Sequence, residues 1–522
     1  MSIKTAETRA KIQSVRHLGG QTSMVMAGTL FTFVVGFPFQ IYLARSLGVA
    51  GLGLFGITEA LVTTAAGLLS FGLSSLAVRF IPEYTTRGES RAIRRLVAFG
   101  LVILAATGAL GASLLPLLAG LMPDIAGIPV EAKALLSVLA LLLPVSMISF
   151  FLAQSLRGFQ EIRIMVFSTS ILALTLKVVL TFGLFATFGA SVWSYAWAVV
   201  LAQATAIFPM AWALWRLMRM LPTEAEPSPV NPRAWASYAG TNYASGLLNM
   251  LIGNLDRVVV GALLGPSAVG VLMVVRQLQQ FPTVFQQVVL TVVSPVFARM
   301  KASGNMAGLA HQLHLSNDWV MRMALGLILI LAILPDHLLG LYGPTFASQG
   351  TSLMLVMALA AVVNLGTGPV GILLNMTGHH VVLLRVIAVT AVATFAGYFV
   401  LIPMFGLMGA GLAVLLGTII NNCVAIWLVW KRLGISWYNS RFSGWFLPSA
   451  AAGATLLAMR LMLNGVEDLG TRAALLASAT FLTYAIFFTV NFVVGFHEDD
   501  RELMRTARSR IGRSFNRAKP LK

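Results

Sequence analysis

Long apolar runs, divided by short polar and basic punctuation, fill this chain from residue 23 to residue 496. A helix needs about 20 predominantly apolar residues to cross the hydrocarbon of a bilayer. That rule predicts fourteen spans, at approximately 23–45, 53–78, 96–119, 134–156, 164–187, 191–215, 236–262, 266–295, 318–342, 352–376, 381–403, 407–430, 443–464 and 473–496. Several contain proline (Pro38, Pro144, Pro209, Pro282, Pro369), which helices inside a bundle tolerate. The connections are short, tightest near 188–191 and 404–406. The expected fold class is an all-α polytopic membrane protein.

Composition agrees with the pattern. Of 522 residues, 58% are hydrophobic and only 10% charged, against about 25% charged in soluble domains. The single cysteine, Cys423, permits neither an intrachain disulfide nor a cysteine metal site. The polar, basic start (MSIKTAETRAKIQSVRHLGGQ) precedes an apolar segment too long for a signal-peptide core, so no cleaved signal is expected. A net charge of +18 raises nucleic acid as a partner, but its distribution points elsewhere. Basic residues gather in the N-terminal arm, in alternate loops (Arg79, Arg87, Arg91, Arg94 and Arg95 in the first of them) and in the tail. The opposite loops hold only Arg45, Lys133, Arg460 and Arg472. The positive-inside rule then makes both termini cytoplasmic in an inner (plasma) membrane, and nucleic acid is not needed.

The linker TEAEPSPVNP, Thr223 to Pro232, divides the first twelve spans into six and six. Offsetting the chain by 217 residues superposes Gly36 on Gly253, Leu47-Gly48 on Leu264-Gly265, Gly53 on Gly270 and Phe188-Gly189 on Phe405-Gly406. Both copies enter the membrane from one side, which is a parallel repeat about an axis along the membrane normal. The domain plan is a basic arm (1–22), a first lobe (23–220), a cytoplasmic linker (221–234), a second lobe (235–432), two further spans (443–496) and a basic amphipathic tail (497–522). In that tail Leu503, Met504, Ala507, Ile511 and Phe515 share one helical face, suited to an anionic leaflet.

FGLSSLAVRFIPEYTTRGE (Phe71 to Glu89), NLDRVVVGALLGPSAVG (Asn254 to Gly270) and MFGLMGAGLAV (Met404 to Val414) resemble the polysaccharide-transport family of lipid-linked oligosaccharide flippases. That family lies in the multidrug/oligosaccharidyl-lipid/polysaccharide exporter superfamily, and the resemblance covers essentially the whole chain. It implies two pseudo-symmetric six-helix lobes in a V around a central cavity, followed by two extra helices. It also implies transfer of an undecaprenyl-pyrophosphate-linked glycan from inner to outer leaflet by alternating access. The implied partners are that anionic lipid-linked glycan, membrane lipids, and the glycosyltransferases and polymerase of the same pathway. No cofactor is implied, and coupling to protons or sodium is not encoded in these motifs. The related lipid II flippases carry arginines in the first span; this chain has none there.

Five ionisable residues lie well inside spans: Glu59, Lys177, Asp256, Arg257 and Arg276. Each carries a penalty of about 2.5–3.5 kcal/mol at mid-bilayer unless paired, so each marks a functional candidate. Adjacent helical residues diverge by about 100°, so Asp256 and Arg257 need other partners. Asp256 with Arg276 would lock one lobe, whereas Glu59 with Arg276 would bridge the two. Either pairing leaves Arg257 and Lys177 for a diphosphate, which suits a planar guanidinium. Gln40 and Asn254, like Asn249, Gln277, Gln280, Asn364 and Asn421, either bond sugar hydroxyls or join helices. Arg79, Arg94, Arg95 and Arg299 stand where a head group would gather at the cytoplasmic mouth, or simply obey positive-inside.

LGTGPVG, Leu365 to Gly371, is a hinge or a static kink in the tenth span. His311 with His314, and His379 with His380, have no acidic or cysteine company, so no metal is expected. P-loop and G-x-S-x-G motifs are absent and the outer loops are short, which argues against an enzyme such as a glycosyltransferase or polymerase. A drug/cation antiporter of the same superfamily is the nearer rival. It would favour a negative cavity, whereas the five intramembrane charges sum to positive.

Overall fold

The computed structural model describes residues 2–121, 130–222, 232–438, 440–466 and 468–494, and these contain helices and turns but no strand. The helices are α1 (Ser2–Leu69), α2 (Leu73–Arg87), α3 (Ser90–Leu121), α4 (Val130–Leu139), α5 (Leu142–Gly158), α6 (Ile162–Val166), α7 (Ala173–Phe188), α8 (Val192–Met220) and α9 (Pro232–Leu264). The second half of the chain adds α10 (Pro266–Ala302), α11 (Met306–Ile333), α12 (Pro335–Gly340), α13 (Pro344–Gly366), α14 (Val370–Met376), α15 (His380–Phe405), α16 (Leu407–Leu433), α17 (Phe446–Leu463) and α18 (Leu469–Val494). Residues 497–522, where the amphipathic tail is expected, and most of the expected linker lie outside the described residues.

Twelve of the described helices are long and apolar enough to cross a membrane, or thirteen if α4 and α5, bent by 47°, form one span. The fourteen expected spans are therefore not reproduced as fourteen helices. The first two expected spans run together as Met24–Leu69, 46 residues, or about 69 Å at helical rise. Within it Gly48 is not helical (φ 69, ψ 178).

Boundaries shift for identifiable reasons. The second expected span stops at Leu69 instead of residue 78, because Phe71 and Gly72 are both left-handed (φ 47 and 69). The ninth begins at Met306 instead of residue 318, where the Asn305 side chain accepts the Gly308 N–H at 2.8 Å. It breaks before Pro335, which has no N–H to continue the helix. The tenth divides at Thr367–Pro369, inside the glycine-proline stretch. A π-helical turn, Phe167–Leu172, joins α6 to α7.

The chain forms two compact units. One comprises Met1–Val275, Tyr342–Leu353 and Ile387–Ala413; the other comprises Arg276–Leu341, Met354–Val386 and Val414–Lys522. In the first, α1 beyond Gly48 packs antiparallel along α9. A Cβ at Gly261 would lie 2.7 Å from Ile57, one at Gly67 would overlap the Met250 sulfur, and one at Gly72 would lie 2.6 Å from the Ala239 carbonyl oxygen. The Tyr243 hydroxyl donates to the Leu68 carbonyl at 2.7 Å and so caps the broken end of α1.

The start of α10 crosses the same stretch of α1 almost backbone on backbone. A Cβ at Gly53 would overlap the Pro266 carbonyl, and one at Gly270 would overlap the Val49 carbonyl. Position 49 becomes 266 and 53 becomes 270 under the 217-residue offset, so the contact is reciprocal, as at a two-fold interface. Gly56 meets Met273 by the same rule. The turn glycines repeat too: Gly48 and Gly265 have φ 69 and 83, Gly189 and Gly406 have φ 83 and 58.

In the second unit, α11, α13, α17 and α18 bury Val320, Ala324, Leu365, Ala452 and Phe487. Arg460 closes the end of α11, donating to the Ile333 carbonyl at 2.6 Å and to Asp336 at 3.0 Å. Cations at a helix C-terminus are favourable there. Arg216 and Arg219 stack on Trp212 and Trp215 at the end of α8, and Lys431 on Trp427 at the end of α16. This is the aromatic and basic dressing of a membrane interface.

The glycine crossing makes a stability prediction. Gly53→Ala and Gly270→Ala force backbones apart and are expected to destabilise the detergent-solubilised protein by about 1–3 kcal/mol. Gly183 faces open space within α7, so Gly183→Ala is expected to be neutral or slightly stabilising. Equal thermal shifts for all three variants would contradict the close crossing.

Candidate functional site

A charge in hydrocarbon must find a partner, and in the first unit the α1–α9 contact supplies one. Seating Gly261 on Ile57 brings Arg257, one turn earlier on α9, beside Glu59. An Arg257 Nη1–H donates to Glu59 Oε2 at 2.9 Å, and an Nη2–H donates to Asn254 Oδ1 at 3.0 Å. The side chains are 21% and 33% exposed, so the pair is partly buried. Arg257 lies eight residues before the Gly265 turn, about 12 Å along the helix.

The Glu59–Arg257 pair is one the sequence analysis did not offer: Glu59 is held by Arg257, which is engaged instead of waiting free. The reason is the antiparallel register of α1 on α9. A guanidinium has five N–H donors, and these two bonds leave others for a ligand. Asp256, 1% exposed, is buried on the same helix. Arg276, half-buried, is the first residue of the second unit.

Lys177 on α7 is half-buried and lies within electrostatic reach of Glu59, with its Nζ 5.8 Å from the centre of the Phe39 ring. Aromatic side chains surround this corner: Phe39 approaches Phe182 and Tyr195, and Phe55 lies 4.6 Å from Tyr195. Gln40 is half-buried beside Phe39 on α1. The structure thus gathers Glu59, Asn254, Arg257 and Lys177 within one unit. The aromatic wall was not singled out in the sequence, although Phe39 and Tyr42 have helical i, i+3 spacing.

The cations expected at the mouth have separate environments. Arg79 is exposed, its guanidinium 4.4 Å from the Tyr238 ring centre and 5.4 Å from that of Phe80. Arg94 reaches the end of α8, donating to the Met218 and Leu221 carbonyls at 3.4 and 3.3 Å, so it also caps a helix. Arg95 is exposed, and Arg299 is exposed with Nε donating to Pro295 of its own helix at 3.4 Å. Among the described residues no group of three His, Cys, Asp or Glu side chains forms a metal site.

Sequence reasoning missed a buried ionic cluster in the second unit. Asp318, fully buried, accepts from Arg322 Nε at 3.0 Å and Trp445 Nε1 at 2.8 Å, with Arg441 3.8 Å away. The i, i+4 spacing of Asp318 and Arg322 was the available signal. Starting the ninth span at 318 disguised it as a span end.

The family described as polysaccharide biosynthesis protein matches residues 18–301. A search of curated protein sequences gives no match. Among solved structures, the chain is similar to an inward-facing multidrug resistance MATE family transporter of the MOP superfamily, with TM-score 0.62 and 16% identity over 77% of this chain and 94% of that one. It is also similar to the lipid II flippase MurJ in an inward closed conformation, with TM-score 0.57 and 12% identity over 88% and 98%. A MOP superfamily transporter from Pyrococcus furiosus, with a binding pocket of reversed polarity, gives TM-score 0.56 and 15% identity over 80% and 95%. At these identities the likeness establishes the fold: an all-helical membrane protein built like the MATE and MurJ transporters.

If Glu59 and Arg257 hold each other, their effects must be coupled. Glu59→Arg and Arg257→Glu are each expected to lower thermal stability, and the double reversal to recover about 1 kcal/mol or more relative to additivity. Strict additivity in the double-mutant cycle would remove the pair from consideration.

Proposed function

We propose that this chain, which belongs to the polysaccharide biosynthesis protein family, is a flippase for a glycan carried on undecaprenyl pyrophosphate. The observation that carries the reading is Arg257, held by Glu59 and Asn254 within an apolar span and with donors to spare. A diphosphate takes the place of the Glu59 carboxylate on that guanidinium. Lys177 and Arg276 supply further positive charge, and Gln40 and Asn254 bond sugar hydroxyls. Arg79, Arg95 and Arg299 collect the head group at the cytoplasmic mouth, where Arg94 also serves.

The proposed architecture has fourteen spans, because Met24–Leu69 turns at Gly48 and is long enough to cross twice. Six spans form each lobe, and both termini are cytoplasmic. The reciprocal Gly53–Gly270 crossing supports the two-fold relation between lobes. It lies near the outer ends of the helices, where it closes the path outward while substrate is loaded from within. Alternating access then requires the crossing to part.

The MATE fold likeness favours a second reading, drug or cation antiport by the same scaffold. Deletion separates the two. A flippase deficit leaves undecaprenyl-linked glycan on the inner leaflet, whereas an antiporter deficit shows as drug sensitivity without that accumulation.

For the flippase, Arg257→Ala and Arg276→Ala are expected to reduce transfer by an order of magnitude or more in a leaflet-accessibility assay. Both variants should remain in the membrane. Arg257→Lys retains part of the activity, because an ammonium keeps the charge but loses the planar fork. Full activity of Arg257→Ala would refute the assignment.

A further inference from the structure

Two cavities lie within the first unit. The larger, about 510 Å³, lies between the end of α1, the start of α2, α5 and α9. The other, about 470 Å³, lies between α2, α3 and the first turns of α9. Tyr243 lines both. From Trp235 to Met250 their shared α9 wall extends about 22 Å at helical rise, longer than one leaflet of hydrocarbon at about 15 Å.

We propose that these cavities form one trench that holds the prenyl chain of a polyprenyl diphosphate; the identification of the chain's owner rests on the flippase reading above. The chemistry of the wall selects the occupant. Thr63, Ser70, Ser75 and Ser146 donate their hydroxyl protons to carbonyls of their own helices or turns, and Tyr243 donates to Leu68. Most of the wall's hydroxyl protons are thus committed, and a hydroxyl in that state can only accept. A phosphate, itself an acceptor, gains little there. A hydrocarbon chain fits, against Phe150, Met250 and Trp235.

The backbone is bent to make this space. Phe71 adopts φ 47, a conformation that a bulky residue takes only under strain. Its ring lies 6.2 Å from Tyr243, where the two cavities adjoin. Were α1 to continue through Gly72, its next turns would run elsewhere and the second cavity would have no wall. Charge complementarity then distinguishes a prenyl diphosphate from a neutral lipid. Exposed Arg79 stacks on Tyr238, on the turn of α9 that also carries Trp235 and Ala239. An anionic head meets a cation where its tail enters the trench.

Gly240 and Gly246 each line one cavity, and a Cβ at either meets nothing within 4 Å. Gly240→Leu and Gly246→Leu therefore extend a side chain into the trench from positions where the first added carbon meets no neighbour. The test is photolabelling of the full chain, reconstituted in phosphatidylethanolamine–phosphatidylglycerol vesicles, with a polyprenyl diphosphate bearing a tail diazirine. Labels are expected on α9 between 235 and 250 and on α5 near Phe150. Unlabelled polyprenyl diphosphate should compete about tenfold better than phosphatidylglycerol, and the paired leucine variants should lose about tenfold of the labelling. Equal competition by phosphatidylglycerol would show an ordinary lipid groove and overturn the proposal, as would labelling indifferent to the leucines. Labelling at the trench in a protein that transfers no glycan would sink the flippase reading and leave the prenyl site standing. Transfer without trench labelling would do the reverse.

Discussion

Everything in the first unit follows from how closely three helical segments can approach. Where α10 crosses α1, the Gly53 and Gly270 backbones meet with no side chain between them. Lipid tails are as apolar as leucine, so helices in a membrane associate through this kind of close packing, not through the hydrophobic effect. Along α9, Gly67 and Gly261 make room for the Met250 and Ile57 side chains, and Gly72 for the Ala239 carbonyl. The resulting register is set by close contact at these glycines and cannot slide without steric overlap. It places Glu59 opposite Arg257.

That placement settles an electrostatic problem at the same time. Either charge alone would carry the penalty of mid-bilayer exposure; together, with Asn254 on a second guanidinium nitrogen, they satisfy each other. The second unit solves the same problem with Asp318, Arg322 and Arg441, but there the carboxylate is fully buried. The contrast separates roles. A sealed cluster fixes α11 against the segment before α17, whereas a pair that is a fifth to a third exposed can exchange one partner for another.

How much was legible beforehand depends on which physical scale governs each feature. Span positions are set by runs of twenty apolar residues, which any local reading detects. The Gly48, Gly189, Gly265 and Gly406 turns repeat at a fixed offset, so their equivalence was visible as well. The α1 break was not: SFGLSS continues an apolar pattern, and only the left-handed Phe71 and Gly72 interrupt it. The partner of Arg257 was also beyond reach. Depth matching from the turns ranked Asp256, Glu59 and Arg276 alike, and it carries no information about which helix faces meet. That is decided by where glycines allow contact, on helices some two hundred residues apart. Asp318 failed for a different reason: the Asn305 cap starts α11 twelve residues before the hydropathy rises far enough to declare a span.

Under the proposed function, the Glu59–Arg257 pair has a further consequence for the energetics of transfer. An arginine left bare in the membrane would bind a diphosphate strongly, but the empty carrier would be strained and release would be slow. Pairing it with a carboxylate makes loading an exchange: one anionic partner leaves the guanidinium as another arrives, and the net change is small. A ligand shifts a conformational equilibrium only by its differential affinity for the two states. Once displaced, Glu59 must find new surroundings, and it lies on α1 six residues from the Gly53 crossing. Displacement therefore acts on the helix whose glycine contact is proposed to close the outer side. The same register that makes the charges compatible thus ties occupancy of Arg257 to the contact that has to open.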